Sequence, residues 1–182
     1  PHKLADAADK YGFKLVLVST DCVFNGTKGS YTEKDASDCF DIYGKSKFIG
    51  EISNKDNVLT IRTSIIGIEH SSSLSILSWF LSQKNPINGY KNAIYSGVPT
   101  TYLASFINQY SYLSGLYHLS SKPISKFELL NYFAEYYDHK IEILEDLNFE
   151  IDRSLQAKKL EEEINFIQPD WQDLIAYLPK HL

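Results

Sequence analysis

Short apolar runs alternate with amphipathic stretches along this chain. Residues 15–18, Leu-Val-Leu-Val, form a continuous apolar run, which is typical of a strand buried on both faces of a parallel sheet. Residues 58–62 and 115–119 have a similar character and predict two further strands. Helical periodicity and end signals predict helices over residues 2–11, 43–55, 73–83, 100–112, 125–137 and 170–178, and residues 141–144 are a candidate short strand.

Local end signals support this arrangement of helices and strands. Gly12 ends the first predicted helix, and Ser125 with Glu128 three residues later forms a capping-box pattern. Residues 19–42 are polar and rich in turn signals, so they are expected to form a loop. Strands that alternate with helices predict an α/β fold with a parallel sheet. A shift in composition near residue 85 predicts that the second half forms a smaller lobe.

Composition narrows the classes of function. A net charge of −5 argues against nucleic acid as a partner, because binding phosphates requires a basic face. No run approaches the ~20 apolar residues of a membrane span, and no signal peptide precedes the chain, so we expect a cytoplasmic protein without a membrane partner. Cys22 and Cys39 are then reduced thiols, and Asn25-Gly26 is a turn. The five histidines (2, 70, 118, 139 and 181) have no metal-ligand spacing, so no metal is predicted.

Three side chains form a candidate catalytic group. Tyr43 and Lys47 are four residues apart at the start of a predicted helix, so both lie on one face. A phenol is a poor acid or base at neutral pH unless its anion is stabilised, and an ammonium one turn away stabilises it. Thr20 follows a buried parallel strand, at the edge where open α/β sheets place their ligands. Together the three groups can bind a carbonyl and deliver a proton to its oxygen while hydride reaches its carbon.

Tyr-x-x-x-Lys alone occurs by chance in many proteins, but here a buried strand ending in Ser-Thr-Asp and a polar loop precede it. This arrangement resembles the extended short-chain dehydrogenase/reductases, and most closely the dTDP-4-dehydrorhamnose reductase family. That family has the patterns Ser-Thr-Asp-x-Val-Phe-x-Gly, Tyr-Gly-x-(Ser/Thr)-Lys-x-x-Gly-Glu and Arg-Thr-Ser, which match residues 19–26, 43–51 and 62–64. The match is strong over residues 1–67 and weaker beyond them.

The resemblance implies a Rossmann-like doubly wound parallel sheet, of which this chain supplies the later strands, with a small C-terminal α/β substrate lobe. Residues 1–85 would be the second half of an NAD(P)-binding domain, and residues 86–182 mainly the substrate-binding lobe. In the implied chemistry Thr20 holds the substrate carbonyl and Tyr43 donates the proton. Lys47 grips the nicotinamide ribose hydroxyls and stabilises the phenolate.

The implied reaction is NAD(P)H-dependent reduction of a nucleotide-linked 4-keto sugar for surface polysaccharide synthesis, and a homodimer is an open alternative to a monomer. The expected contacts with the cofactor, NADP or NAD, come from Ser19, Tyr43 and Lys47, and those with the substrate come from Asp21, Val23, Phe24 and Arg153. Core packing is an equal alternative for Val23 and Phe24. The planar fork of Arg153 suits a phosphate, and a surface ion pair is its alternative.

Two features depart from the family. Ile65 stands where the family commonly has a tryptophan that lines the sugar pocket, which predicts either a sugar other than the rhamnose precursor or weaker stacking on the substrate. None of the nine glycines forms the glycine-rich loop that binds pyrophosphate, so we expect three strand–helix units before this chain, and weak dinucleotide binding by the chain alone. Two rivals remain open: an epimerase or dehydratase of the same superfamily, and a non-catalytic relative such as the regulatory subunit of methionine adenosyltransferase.

Overall fold

A computed structural model describes residues 1–69 and 75–180 of the chain. Its helices are α1 (His2–Tyr11), α2 (Ile42–Ile49), α3 (Ile76–Ser82), α4 (Thr100–Tyr110), α5 (Lys126–Tyr136), α6 (Lys158–Ile164) and α7 (Trp171–Leu174). Its strands are β1 (Leu15–Thr20), β2 (Val58–Thr63), β3 (Ile65–Ile66), β4 (Ile87–Tyr95), β5 (Val98–Pro99), β6 (Gly115–His118), β7 (Ile124–Ser125) and β8 (Ile143–Asp152). Short 3-10 turns follow β1, at Asp21–Val23, and α7, at Ile175–Tyr177.

The predicted parallel sheet is confirmed as a three-stranded sheet of order β1–β2–β6. All six residues of the central β2 are buried, as expected for a strand with a neighbour on each side and helices on its faces. The register places Thr20 at the end of β1 beside Thr63 at the end of β2. The carboxyl ends of the strands therefore form one edge, where open α/β sheets bind ligands.

A second three-stranded sheet has the order β7–β4–β8, and β3 pairs with β5 separately. Strand β4 runs parallel to β8 and antiparallel to β7. Apolar periodicity did not predict β4, because polar Asn88, Lys91 and Asn92 interrupt it. Its buried residues alternate with exposed ones only at its two ends.

Several element ends differ from the sequence-based expectation. Helix α2 ends at Ile49 instead of residue 55, since the N–H of the capping Gly50 closes the helix on carbonyls of its last turn. Strand β8 extends to Asp152, far beyond the expected residues 141–144, because pairing with β4 supports its exposed residues. Helix α6 was not expected. The predicted start of α3 at residue 73, with Leu74 on its apolar face, lies outside the described residues; Ser75 caps the helix that follows.

The first and fifth helices end and begin as their sequence signals predict. Gly12 ends α1 in the left-handed conformation, at φ 72°. Ser125 accepts the Glu128 N–H while the Glu128 carboxylate accepts the Ser125 N–H, which completes the capping box of α5. The largest hydrophobic cluster contains Leu59 of β2 together with Trp171 of α7, so side chains from both halves pack in one core. The boundary at residue 85 stays a prediction.

Candidate active site

Thr20 lies at the point where β1 passes into the 3-10 turn. Its hydroxyl oxygen accepts the Cys22 N–H at 3.1 Å and its hydroxyl donates to Asp21 at 3.1 Å. Both Thr20 and Asp21 are 6% exposed, so the strand end is held inside the protein with its polar groups paired. The side chain predicted to bind a carbonyl is thereby fixed at the ligand-binding edge of the sheet.

Helix α2 docks against that turn through a glycine. Asp41 caps the helix by accepting the Gly44 N–H at 2.7 Å. A Cβ at position 44 would overlap the carbonyl oxygen of Cys22 and crowd the side chain of Cys39. Because only glycine permits this approach, the first turn of α2, which carries Tyr43, lies directly against the segment that follows Thr20.

The structure fixes Lys47 more firmly than Tyr43. The Lys47 Nζ donates to the Val18 carbonyl oxygen at 2.7 Å, two residues before Thr20 on the same strand. Tyr43 is 57% exposed, and within residues 1–69 and 75–180 its hydroxyl has no hydrogen-bond partner. Lys47 therefore sits at the carboxyl half of β1, and the Tyr43 hydroxyl is free to meet a ligand.

A buried ion pair anchors the far end of α2 to the sheet. The Arg62 guanidinium donates two hydrogen bonds to the Glu51 carboxylate, at 2.8 and 2.7 Å, and both side chains are at most 7% exposed. The Ser19 hydroxyl donates to the same carboxylate at 2.6 Å. Ser19 was predicted as a cofactor contact; its side chain is buried and hydrogen-bonded to Glu51. Glu51 and Arg62 belong to the sequence motifs, but the motifs alone did not predict this ion pair.

Aromatic rings cover the other side of this ion pair. The Arg62 guanidinium lies 5.1 Å from the centre of the Phe24 ring, which stacks on Tyr31 at 4.1 Å. Val23 and Phe24 are fully buried with Tyr31 and Leu155. These two residues were weighed as substrate contacts or core residues, and the structure places them in the core, where neither lines the cleft described below.

His118, at the end of β6, joins the same cluster. Its Nε2 lies 3.4 Å from Arg62 and its Nδ1 lies 3.2 Å from the Tyr31 carbonyl oxygen. Burial, with a smaller contribution from the Arg62 charge, lowers the pKa of His118 from 6.5 to about 3. The imidazole is therefore neutral in the folded protein throughout the neutral range.

His118 makes stability depend on pH in a defined direction. Below pH 6.5 the unfolded chain takes up a proton that the folded imidazole refuses until about pH 3, so acid favours unfolding. The His118 contribution to the free energy of unfolding should fall by about 1.4 kcal/mol per pH unit in this window. Urea unfolding at pH 7, 6, 5 and 4 should show a shallower loss of stability for His118→Gln than for the wild type. Parallel pH profiles would contradict the assignment.

A cleft of about 500 Å³ opens at the turn that follows Thr20. Residues that follow the parallel sheet and residues of the second sheet line it, whereas Thr20, Tyr43 and Lys47 do not. Asp21, Cys22 and Arg153 line it on the side of the catalytic turn. Arg153 donates to the Cys22 sulfur at 3.4 Å, and the positive charge of Arg153 partly offsets the effect of burial, which raises the pKa of Asp21. Asp21 and Arg153 thus line one cleft, and their contact with a substrate stays a prediction. Within the described residues Arg153 forms no ion pair at the surface.

Aromatic side chains that sequence reasoning missed form another wall of the cleft. Ile65, at the position of the family's tryptophan, lines the cleft and is 45% exposed. Trp79 of α3, Tyr90 of β4 and Phe149 of β8 line the same space, and the Tyr90 and Phe149 rings are 5.1 Å apart. These three rings supply a stacking surface that residue 65 does not. Trp79 was visible in the sequence as an aromatic residue of a predicted helix, but the direction of its side chain was not.

The described residues contain neither a membrane-spanning helix nor a metal-binding cluster. In residues 1–69 and 75–180 no helix is long and apolar enough to cross a membrane. In the same ranges no three His, Cys, Asp or Glu side chains are placed to hold a metal ion. His70 and His181, which were considered as ligands with the other histidines, lie outside the described residues.

Comparison with known proteins identifies the family of this chain. The family model described as the RmlD substrate binding domain matches residues 1–180. The spore coat polysaccharide biosynthesis protein SpsK of Bacillus subtilis is 36% identical over 123 residues, which are 63% of this chain and 43% of SpsK. Methionine adenosyltransferase 2 subunit beta of Rattus norvegicus is 41% identical over 56 residues, which are 31% of this chain and 17% of that protein.

Among solved structures, dTDP-4-dehydrorhamnose reductase from Bacillus anthracis in complex with NADP is similar at a TM-score of 0.78 and 25% identity. The match covers 94% of this chain and 67% of that one. The chain spans less than half the length of the curated relatives it matches.

Proposed function

Because the chain belongs to the RmlD substrate binding domain family, we propose that its protein reduces a nucleotide-linked 4-keto sugar with NADPH or NADH. The product would serve surface polysaccharide synthesis, as the name of the relative SpsK suggests. The cytoplasm as location and a homodimer as assembly belong to the same proposal. Two free cysteines in the described residues, Cys22 and Cys39, are compatible with a reducing compartment.

The observation that carries the proposal is the convergence of Thr20, Lys47 and the first turn of α2 on one strand end. Lys47 is held 2.7 Å from the Val18 carbonyl oxygen, and Gly44 lets α2 touch the turn after Thr20. In the proposed reaction the Thr20 hydroxyl turns from Asp21 to donate to the substrate carbonyl oxygen. Tyr43 transfers its phenolic proton to that oxygen as the carbon receives hydride, and Lys47 stabilises the phenolate left behind. The products are a secondary alcohol and the oxidised nucleotide, and water reprotonates Tyr43.

The site residues fit the nicotinamide end of the cofactor, which supplies the hydride when it is bound. The exposed phenol of Tyr43 and the ammonium of Lys47 offer groups to the ribose hydroxyls. The described residues do not include a glycine-rich turn that opens a helix. Gly26 lies in a loop with φ 88°, and its own carbonyl oxygen accepts the Asp152 N–H at 2.8 Å. Gly26 therefore forms a turn, as its sequence predicts, and does not open a helix.

The test is an assay of the natural protein that carries this chain, with dTDP- and UDP-linked 4-keto sugars. A reductase oxidises stoichiometric NADPH or NADH and forms the 4-hydroxy sugar. An epimerase or dehydratase converts 4-hydroxy nucleotide sugars without net consumption of added NADPH. Absence of both activities with every sugar would overturn the enzymatic proposal.

A regulatory subunit is the second candidate, because the similarity to methionine adenosyltransferase 2 subunit beta covers 56 residues at 41% identity. Motif residues alone do not separate the two functions, since a relative that regulates another enzyme can retain them. A change in the activity of a methionine adenosyltransferase on addition of the protein, without sugar reduction, would favour this candidate.

A further inference from the structure

Two polar atoms at the cleft have no hydrogen-bond partner. Four side-chain atoms in the described residues are buried and unpaired, and two of them, the Tyr95 hydroxyl and the Arg153 Nε, belong to residues that line this one cleft. Tyr95 ends β4 and is only 7% exposed. Folded proteins pair nearly all buried polar groups, so two unpaired atoms at one cleft indicate a missing partner.

Both unpaired groups are hydrogen-bond donors. The Arg153 Nε carries a hydrogen at every accessible pH. Burial raises the pKa of Tyr95 well above its usual range, so its phenol keeps its proton, and the nearby Asp21 charge acts in the same direction. Two donors beside one cleft suit an acceptor oxygen of a bound ligand. Because the Tyr95 phenol is neutral, that oxygen can be neutral as well.

The position of the pair selects the part of the ligand. Asp21, which lines the same cleft as Tyr95 and Arg153, follows Thr20 directly in the chain. The donors therefore lie beside the proposed carbonyl-binding group. The part of a nucleotide sugar at that place is the hexose ring.

We propose that Tyr95 is a specificity-determining residue that donates, together with the Arg153 Nε, to an acceptor oxygen on the hexose of the nucleotide sugar. This inference rests on the proposed function of the cleft. The Tyr95 hydroxyl then does not stabilise the ligand-free protein. It strengthens binding of the nucleotide sugar, but not binding of the nucleotide diphosphate alone.

The experiment compares the wild type with Tyr95→Phe in the natural protein. Titration calorimetry measures dissociation constants for dTDP-glucose, UDP-glucose and UDP-N-acetylglucosamine, each beside its free diphosphate, dTDP or UDP. In Tyr95→Phe the dissociation constant of the nucleotide sugar should rise about 3- to 10-fold, the effect of one neutral hydrogen bond. The dissociation constant of the free diphosphate should not change. The Tm of the ligand-free variant should equal or exceed that of the wild type, because an unpaired hydroxyl is removed.

Tyr117→Phe is the matched control. Tyr117 is also buried, but its hydroxyl donates to Glu163 at 2.6 Å, with the Ser114 carbonyl oxygen 3.1 Å away, and Tyr117 does not line the cleft. That variant should have a lower Tm and unchanged affinity for the sugars. A fall in Tm for Tyr95→Phe similar to that of the control, or an unchanged dissociation constant for the nucleotide sugar, would overturn the inference and leave the proposed function intact. A wild type that binds none of the three sugars would overturn the proposed function, and the inference with it.

Discussion

Tyr43→Phe should lower turnover of the 4-keto sugar by about 10²- to 10⁴-fold, the usual contribution of a positioned proton donor. Its fold should be intact, because the Tyr43 hydroxyl is exposed and has no protein partner in the described parts of the chain. The steady-state rate of NADPH oxidation measures the effect, and circular dichroism verifies the fold.

Tyr112→Phe provides the comparison for this result. Tyr112 is 66% exposed, similar to Tyr43, but it follows α4 and belongs to neither β1 nor α2, which carry the proposed catalytic residues. Its substitution should leave turnover unchanged. Full activity in Tyr43→Phe would show that another group protonates the sugar oxygen.

Glu51→Ala should destabilise the protein by about 3–5 kcal/mol, because it leaves the Arg62 guanidinium buried without its carboxylate. Arg62 is 3% exposed, and Glu51 accepts two of its hydrogen bonds and that of Ser19. The loss should appear as a lower urea midpoint with an unchanged slope.

The exposed pair of Lys91 and Glu145 serves as the control for Glu51→Ala. Both side chains are more than 40% exposed, at a separation of 2.8 Å. Removal of an exposed ion pair changes stability by at most about 1 kcal/mol, so Glu145→Ala should unfold near the wild-type midpoint. If the two variants were equally stable, the buried pair would not anchor α2.

Much of the catalytic edge could be predicted because it depends on local sequence. The run at residues 15–18 predicted β1, and the spacing of Tyr43 and Lys47 placed both on α2. The N-cap and first-turn residues of α5 predicted its start. These features are decided by residues within a few positions of one another, where periodicity and capping act.

The roles of several predicted residues depended on partners far along the chain. The Ser19 hydroxyl donates to Glu51, which is 32 residues away in sequence, a contact that the motif did not predict. Phe24 was weighed as a substrate contact and packs on Tyr31 in the core. Both residues belong to the motif, but a motif records which residue types recur and not which way each side chain points.

The sequence by itself determined the α/β class, the parallel strands, the position of Thr20 at a strand end and that of Tyr43 and Lys47 on a helix, since strand burial and helix spacing are local. Only the tertiary structure decided that Tyr90 and Phe149 face one cleft, because β4 and β8 are separated by a helix-rich stretch and meet by pairing. It also decided that the Tyr95 hydroxyl is unpaired. Whether a buried donor has a hydrogen-bond partner depends on every element packed around it, and a local sequence pattern does not contain that information.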